Sequence, residues 1–486
     1  MSNNPFKKLA GQTMVYGLGT MVPRLLNYLL VPLYTRAFAP EVYGQFTELY
    51  AYVALLMALL TYGMETTFFR FGKGADFRKV YGTIMTSILS STALFVVLIA
   101  VLHPVVAQAI HYEGRSVYVL LLGLVVAADV VSAVPFCVLR QQNQARRFSL
   151  IKIANVCTNV ALNLLFIVVM PETSTRLASQ LFGPRAGLLT WVFVSNLVAS
   201  LLNLFMLRRE LRQVALQWNP SLLKKLLNYG LPIMLIGLIG MVNEVADKLA
   251  IRYLLPPESA MEQLGIYGAN YKLAVLMTIF VQMFRYASEP FFFSKAEERN
   301  SPRLFADVMT YFVICGLAIF LVISLFLDLF GYFVGNSGSA YREGLSIVPV
   351  VLMANLFYGI VFNLSIWYKL SDRTRSGSLI TAAGAAVTVA CLVGLVPVVG
   401  YRGAAWAHLA CYSVMMVISY AWGQRVFPIP YDLRRVGFYF VLAVALYGIS
   451  RLWHPQVEWL DLGFRLLLLL IFLAVAVRLD LRKALQ

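Results

Sequence analysis

The stretch YGLPIMLIGLIGMVNEVADKLAIRYLL, residues 229–255, decides the fold. It is long and apolar enough for a membrane-crossing helix, which needs about 20 mostly apolar residues, yet Glu244, Asp247 and Lys248 stand in its second half. An ionised side chain at bilayer depth costs roughly 2.5–3.5 kcal/mol, so it is kept where it faces a bundle interior, a wet cavity or a partner. The stretch therefore reads as a spanning helix that carries part of a site.

Composition extends that reading to the whole chain. Its 486 residues are 60% hydrophobic and only 13% charged, and the mean hydropathy is +0.74. A soluble globule carries about 25% charged residues. Cys137, Cys157, Cys315, Cys391 and Cys411 all lie in apolar runs and none has CxxC spacing, so neither a disulfide framework nor a metal cluster is indicated. The start, MSNNPFKKLAGQ, lacks the small-residue cleavage site of a secretory signal and reads as the lead into a retained first helix.

Working outward in both directions gives spans at 11–34, 45–69, 80–102, 117–139, 148–170, 187–207, 228–251, 265–287, 306–328, 345–367, 377–399, 404–424, 436–450 and 462–477. The expected fold is an all-α polytopic membrane protein with fourteen transmembrane helices. Positive charge supports the count, since short cytoplasmic loops carry the excess of Lys and Arg. With the N-terminus inside, roughly two-thirds of the 40 basic residues fall in inner segments, as that rule demands. The net charge of +17 is thus topogenic and meets an anionic inner leaflet; it does not indicate nucleic acid binding. No GxxxxGK phosphate loop is present, so nothing in the chain reads as an ATP motor, and no enzyme activity is expected.

Two stretches echo one another: VYGQFTELYAYVALLM at 42–57 and IYGANYKLAVLM at 266–277. The offset that aligns Tyr43-Gly44 with Tyr267-Gly268 also places Arg24 on Lys248. Six spans separate the two units, and an even number preserves orientation, which predicts parallel repeats about an axis along the membrane normal. The expected organisation is a six-helix bundle over 1–210, a second over 211–430, and two additional helices with a short tail over 431–486.

The charged interior supplies the candidate site. Glu244 and Lys248 are four apart and share a helix face, so a self-contained ion pair between them is one reading. Asp247 is then left to a coupling or gating role with a proton or sodium ion, to a fixed ion pair with another helix, or to an exposed place at the mouth. Arg24 lies near the middle of the first span between Pro23 and Asn27, too deep to snorkel. Glu65, Asp129 and Lys272 lie in the second, fourth and eighth spans, and Arg285 and Glu289 form a four-apart pair at the inner end of the eighth, read as an inner gate. Basic groups in three spans suit an anionic head group, because guanidinium grips phosphate oxygens bidentately and ammonium acts as a mobile point charge. Asn27, Asn243, Asn270, Tyr28 and Tyr271 would meet sugars, or else the asparagines bond helix to helix.

The opening GQTMVYGLGTMVPRLLNYLLVPLYTRAFAPEVYG, the helix NEVADKLAIRYLLPP, the following LGIYGANYKLA and the fourteen-span layout resemble the polysaccharide biosynthesis flippases of the multidrug/oligosaccharidyl-lipid/polysaccharide exporter superfamily. The resemblance implies alternating access that carries an undecaprenyl-diphosphate-linked oligosaccharide to the outer leaflet of a bacterial inner membrane, with both termini cytoplasmic. It implies a cationic cavity matched here by Arg24, Lys248 and Lys272; the interior residues read above add Asn27 to that cavity and Asp247, Glu244, Glu65 and Asp129 as ion-coupling or gating candidates. Expected partners are the lipid-linked glycan, membrane lipids and a polymerase or glycosyltransferases; the chain is expected to be a monomer and to need no cofactor. O-antigen or capsule repeat units are the preferred cargo. The alternatives are the peptidoglycan precursor lipid II, a multidrug/cation antiporter, and a scaffold that moves nothing.

Overall fold

The computed structural model of the protein describes residues 21–73, 76–213, 216–295, 301–371, 373–453 and 457–481. Its elements are helices because an apolar run in lipid has no other way to satisfy its own backbone donors and acceptors. After a helical stretch at 21–28, the elements run α1 (Leu30–Ala37), α2 (Pro40–Thr61), α3 (Met64–Phe71), α4 (Phe77–Ala109), α5 (Ser116–Gln141), α6 (Ala145–Leu164), α7 (Pro171–Phe182) and α8 (Leu188–Met206). They continue with α9 (Pro220–Leu254), α10 (Pro257–Leu273), α11 (Val275–Lys295), α12 (Ser301–Leu325), α13 (Leu327–Val334) and a 3-10 segment, Ala340–Ile347. The last five are α14 (Val348–Leu364), α15 (Thr374–Val399), α16 (Tyr401–Val426), α17 (Leu433–Leu452) and α18 (Glu458–Ala476).

Among the described residues twelve helices are long and apolar enough to cross a membrane, and thirteen if the bent pair α10 and α11 is one span. Each of those thirteen overlaps one span read from the sequence. Of the first span, 11–34, residues 11–20 lie outside the described residues and the rest is helical, with a turn at Leu29. Two spans depart from straight helices. Tyr62 and Gly63 both have positive φ, at 31° and 73°, which breaks the second span into α2 and α3. The eighth begins earlier than expected, at Pro257, and bends by 46° around Ala274. The loop after the fifth span holds α7, whose Pro171 starts the helix at the position where proline costs least.

The chain divides into two compact units, 1–33 with 45–241 and 34–44 with 242–486. In the first unit α5 is the central element: 72% of its apolar stretch is buried, against 22% for α4. Its inward residues Val126, Val130, Val134 and Val138 pack on Met64, Phe68, Ile84 and Ile88. At one end, buried Glu210 holds Arg147 at 2.7 Å while its carbonyl accepts from Tyr81 at 3.0 Å, tying α4, α6 and the turn after α8. In the second unit α12 and α14 are the enclosed helices, and α15 pairs with α16 as a tight hairpin. The α17–α18 pair leans on α12, and Arg465 of α18 donates to the Leu325 carbonyl of α12 at 3.0 Å and pairs with Asp328 of α13 at 2.8 Å.

Candidate functional site

In the second unit the charged stretch of α9 is a network. Asp247 is 2% exposed. Its carboxylate accepts from Lys248 Nζ at 2.9 and 3.1 Å and from the Tyr267 hydroxyl of α10 at 2.6 Å. The Glu244–Lys248 side-chain pair, one of the readings open in the sequence, does not form here. Lys248 Nζ takes the carbonyl oxygen of Glu244 at 2.6 Å, while the Glu244 side chain is exposed. Adjacent residues on a helix point in different directions, but lysine has four methylenes and can curl back on its own turn, whereas Asp247 is short and held by Tyr267. The buried carboxylate captures the ammonium, and the carboxylate with access to solvent gives it up. An exposed place for Asp247 at the mouth is likewise excluded by its burial.

Aromatic groups complete the network. Lys248 Nζ lies 5.0 Å from the Tyr271 ring centre, an attractive placement for a cation. The Tyr271 hydroxyl is 3.2 Å from His408 Nε2, and the His408 ring meets Tyr412 edge-on at 4.7 Å. Lys272 is exposed and feels the like charge of Lys248. Asn243 accepts from Thr388 at 3.0 Å, and Asn270 donates to the Tyr341 carbonyl at 2.7 Å, so both act as links between elements. Arg285 is exposed and sits 4.9 Å from the Phe362 ring centre, with Lys369 4.6 Å from the same ring. The Glu289 side chain, its expected partner, lies outside the described residues.

The first unit holds its own set. Arg24 and Asn27 are exposed on the helical stretch 21–28, and Arg24 is engaged by a neighbour. Glu65 on α3 lies 3.8 Å from the Cys137 thiol and within reach of the Arg140 and Lys152 charges. Asp129 on α5 meets Ser200 and faces Lys152. Lys152 is the group that joins the two acids; it packs 4.0 Å from the Phe136 ring centre. By sequence it counts with the inner-loop charges, although the run FSLIKIANV around it carries the signal of a helix. Glu48, His408 and Tyr267 were also passed over. Glu48 is fully buried and accepts from Tyr112 at 2.7 Å and Tyr52 at 3.1 Å; its polar surroundings, GQFTELY, read as an interface. Among the described residues no group of three His, Cys, Asp or Glu side chains is placed to hold a metal ion.

Residues 9–297 match the family of polysaccharide biosynthesis proteins. The chain belongs to that family. Its fold is that of the multidrug/oligosaccharidyl-lipid/polysaccharide transporters. The lipid II flippase MurJ in an inward closed conformation superposes with a TM-score of 0.71 at 12% identity, covering 96% of this chain and 99% of that one. An inward-facing multidrug resistance MATE transporter of the same superfamily gives 0.65 at 16% identity, covering 85% and 97%. A single-substitution mutant of the Vibrio cholerae MATE transporter VcmN gives 0.59 at 13%, covering 86% and 96%. A comparison with curated protein sequences finds no match. This member of the polysaccharide biosynthesis family therefore combines the fold of those transporters with acidic and basic side chains inside its spans.

Proposed function

We propose that the protein is a flippase that carries a polyprenyl-diphosphate-linked glycan across a bacterial inner membrane by alternating access, both termini being cytoplasmic. The observation that carries this reading is the arrangement around Lys248. Its charge is held at membrane depth by Asp247 and Tyr271, with a second cation, Lys272, exposed beside it. Asp247 is taken up by Lys248, so Lys272, exposed on the neighbouring helix, is the cation open to a diphosphate. Arg24 and Asn27 belong to the same substrate cavity in this reading. Asp247, Glu244, Glu65 and Asp129 couple transport to protons or sodium, and Arg285 with Glu289 closes the inner side. The two six-helix bundles, 1–210 and 211–430, move against each other; the pair over 431–486 is appended. The protein works as a monomer beside its polymerase or glycosyltransferases.

For the cargo, the family supports a polysaccharide repeat unit such as O-antigen or capsule. The likeness to solved structures supports the alternative better: a TM-score of 0.71 with the lipid II flippase favours the peptidoglycan precursor, and the MATE likeness keeps drug export as a further reading. Purified protein in vesicles decides among them. Labelled undecaprenyl-diphosphate oligosaccharide and lipid II are supplied on one leaflet, and their arrival on the other is read with an impermeant sugar-modifying reagent. Movement of one establishes both activity and cargo class. Movement of neither, with intact folded protein, defeats the flippase reading and leaves drug export and the scaffold.

A further inference from the structure

Residues 34–44 come early in the chain yet pack within the second compact unit. The first turn of α2 crosses α10 with backbone against backbone. A Cβ on Gly265 would collide with the carbonyl oxygen of Pro40 and stand 3.0 Å from Gly44 N; a Cβ on Gly44 would collide with the carbonyl oxygen of Met261 and stand 3.2 Å from Gly265 N. The contact is reciprocal: each glycine receives the carbonyl four residues before the other. Pro40 and Met261 have the same sequence separation as Gly44 and Gly265. Glycine permits such an approach, where Cα–H groups meet carbonyl oxygens. The crossing is capped by the 3-10 segment. The Tyr341 hydroxyl donates to the Phe38 carbonyl at 2.9 Å, its ring meets Tyr43 edge-on, and its own carbonyl accepts from Asn270 of α10.

Tyr267, which grips Asp247, is two residues from Gly265 on α10. Two positions on a helix point to widely separated faces, so α10 presents Gly265 to residues 40–44 and Tyr267 to Asp247.

The geometry points to a releasable seal: residues 34–44 close on α10 through the Gly44–Gly265 crossing, and closure holds the Tyr267 hydroxyl on Asp247, so that opening the seal loosens the Asp247–Lys248 pair. This deepens the transport reading and rests on it for purpose; the seal itself requires no cargo. Coupling of this kind is reciprocal. Whatever weakens the Tyr267–Asp247 bond must also favour the open seal.

The test uses the full-length protein in lipid vesicles without glycan lipid, its five native cysteines replaced by alanine and spin labels at positions 36 and 343, both exposed. Pulsed electron spin resonance reads the ratio of short to long separations. Gly265→Ala and Gly44→Ala are expected to remove most of the short population, while Gly394→Ala, where a Cβ meets nothing within 4 Å, leaves it unchanged. Should both crossing variants fail to fold, Tyr341→Phe removes only the hydroxyl on Phe38 and is expected to lower the ratio about fivefold, the worth of one neutral hydrogen bond. Tyr267→Phe, which removes a bond to a charged acceptor, is expected to lower it about tenfold, and Asp247→Asn to shift it in the same direction. An unchanged ratio in the folded crossing variants, or in Tyr341→Phe, overturns the seal. An unchanged ratio in Tyr267→Phe and Asp247→Asn overturns its link to the charge pair. Because no glycan is present, failure of the flippase assay leaves these outcomes intact, and failure here leaves the flippase assay to stand alone.

Discussion

At the scale of single residues, burial decides which acid Lys248 chooses. Asp247 keeps its charge inside the protein by accepting from Lys248 and Tyr267 together, and a buried ion pair stripped of one partner costs several kcal/mol. Asp247→Ala is expected to destabilise the protein by about 3 kcal/mol, the low end of that range, because Lys248 keeps some access to solvent; thermal unfolding in detergent measures it. Asp247→Asn keeps the side-chain shape and one acceptor oxygen and removes the charge. It is expected to stay folded and to bind head group, with transport no longer responding to an imposed proton or sodium gradient. Flux in vesicles with and without the gradient checks this, and an unchanged response assigns Asp247 to the scaffold. Arg24 makes a separate case, being exposed on its helix. Arg24→Ala is expected to abolish transport at normal membrane abundance; full transport would remove its role, and disappearance from the membrane would show that it packs the fold.

At the scale of elements, the spans were legible because lipid imposes length and apolarity on any helix that crosses it, and the thirteen spans beyond the first follow the apolar runs. Breaks were not legible. In the run TYGMETTF Gly63 permits a left-handed turn without requiring one, since Gly44 lies inside a continuous helix, and NYKLAVLM does not announce the bend at Ala274. Turns carry their own demands. Gly400, between α15 and α16, has φ 63° and ψ −146°, and a Cβ there would crowd the Gln263 side chain, whose oxygen caps Tyr401 N at 3.1 Å. Gly400→Ala is expected to cost about 2 kcal/mol, since left-handed φ alone costs an L-residue about 1–2 kcal/mol. Gly394→Ala, an exposed position within α15, is expected to be neutral or to add about 0.5 kcal/mol through helix propensity. Thermal unfolding of the two variants side by side separates strain from propensity.

At the scale of the whole molecule, the distribution of basic residues predicts both termini on the cytoplasmic side. A reporter active only in the cytoplasm is expected to work when fused after Gln486, and one active only in the periplasm to be silent there; the reverse result would invert the topology. The sequence by itself determined the all-helical membrane class and the order of the spans, because bilayer thickness acts on composition and length alone; it misplaced Lys152 with the loop charges and Glu48 at an interface. Tertiary structure decided which charges meet. It gave Lys248 to Asp247 and left Glu244 exposed, brought Lys152 between Glu65 and Asp129, placed His408 on Tyr271, and set Gly44 against Gly265. Those pairings depend on rotamers, burial and the approach of helices distant in the chain. One-dimensional spacing holds the i to i+4 relation within a helix; it holds nothing of the distance between two helices that fold side by side.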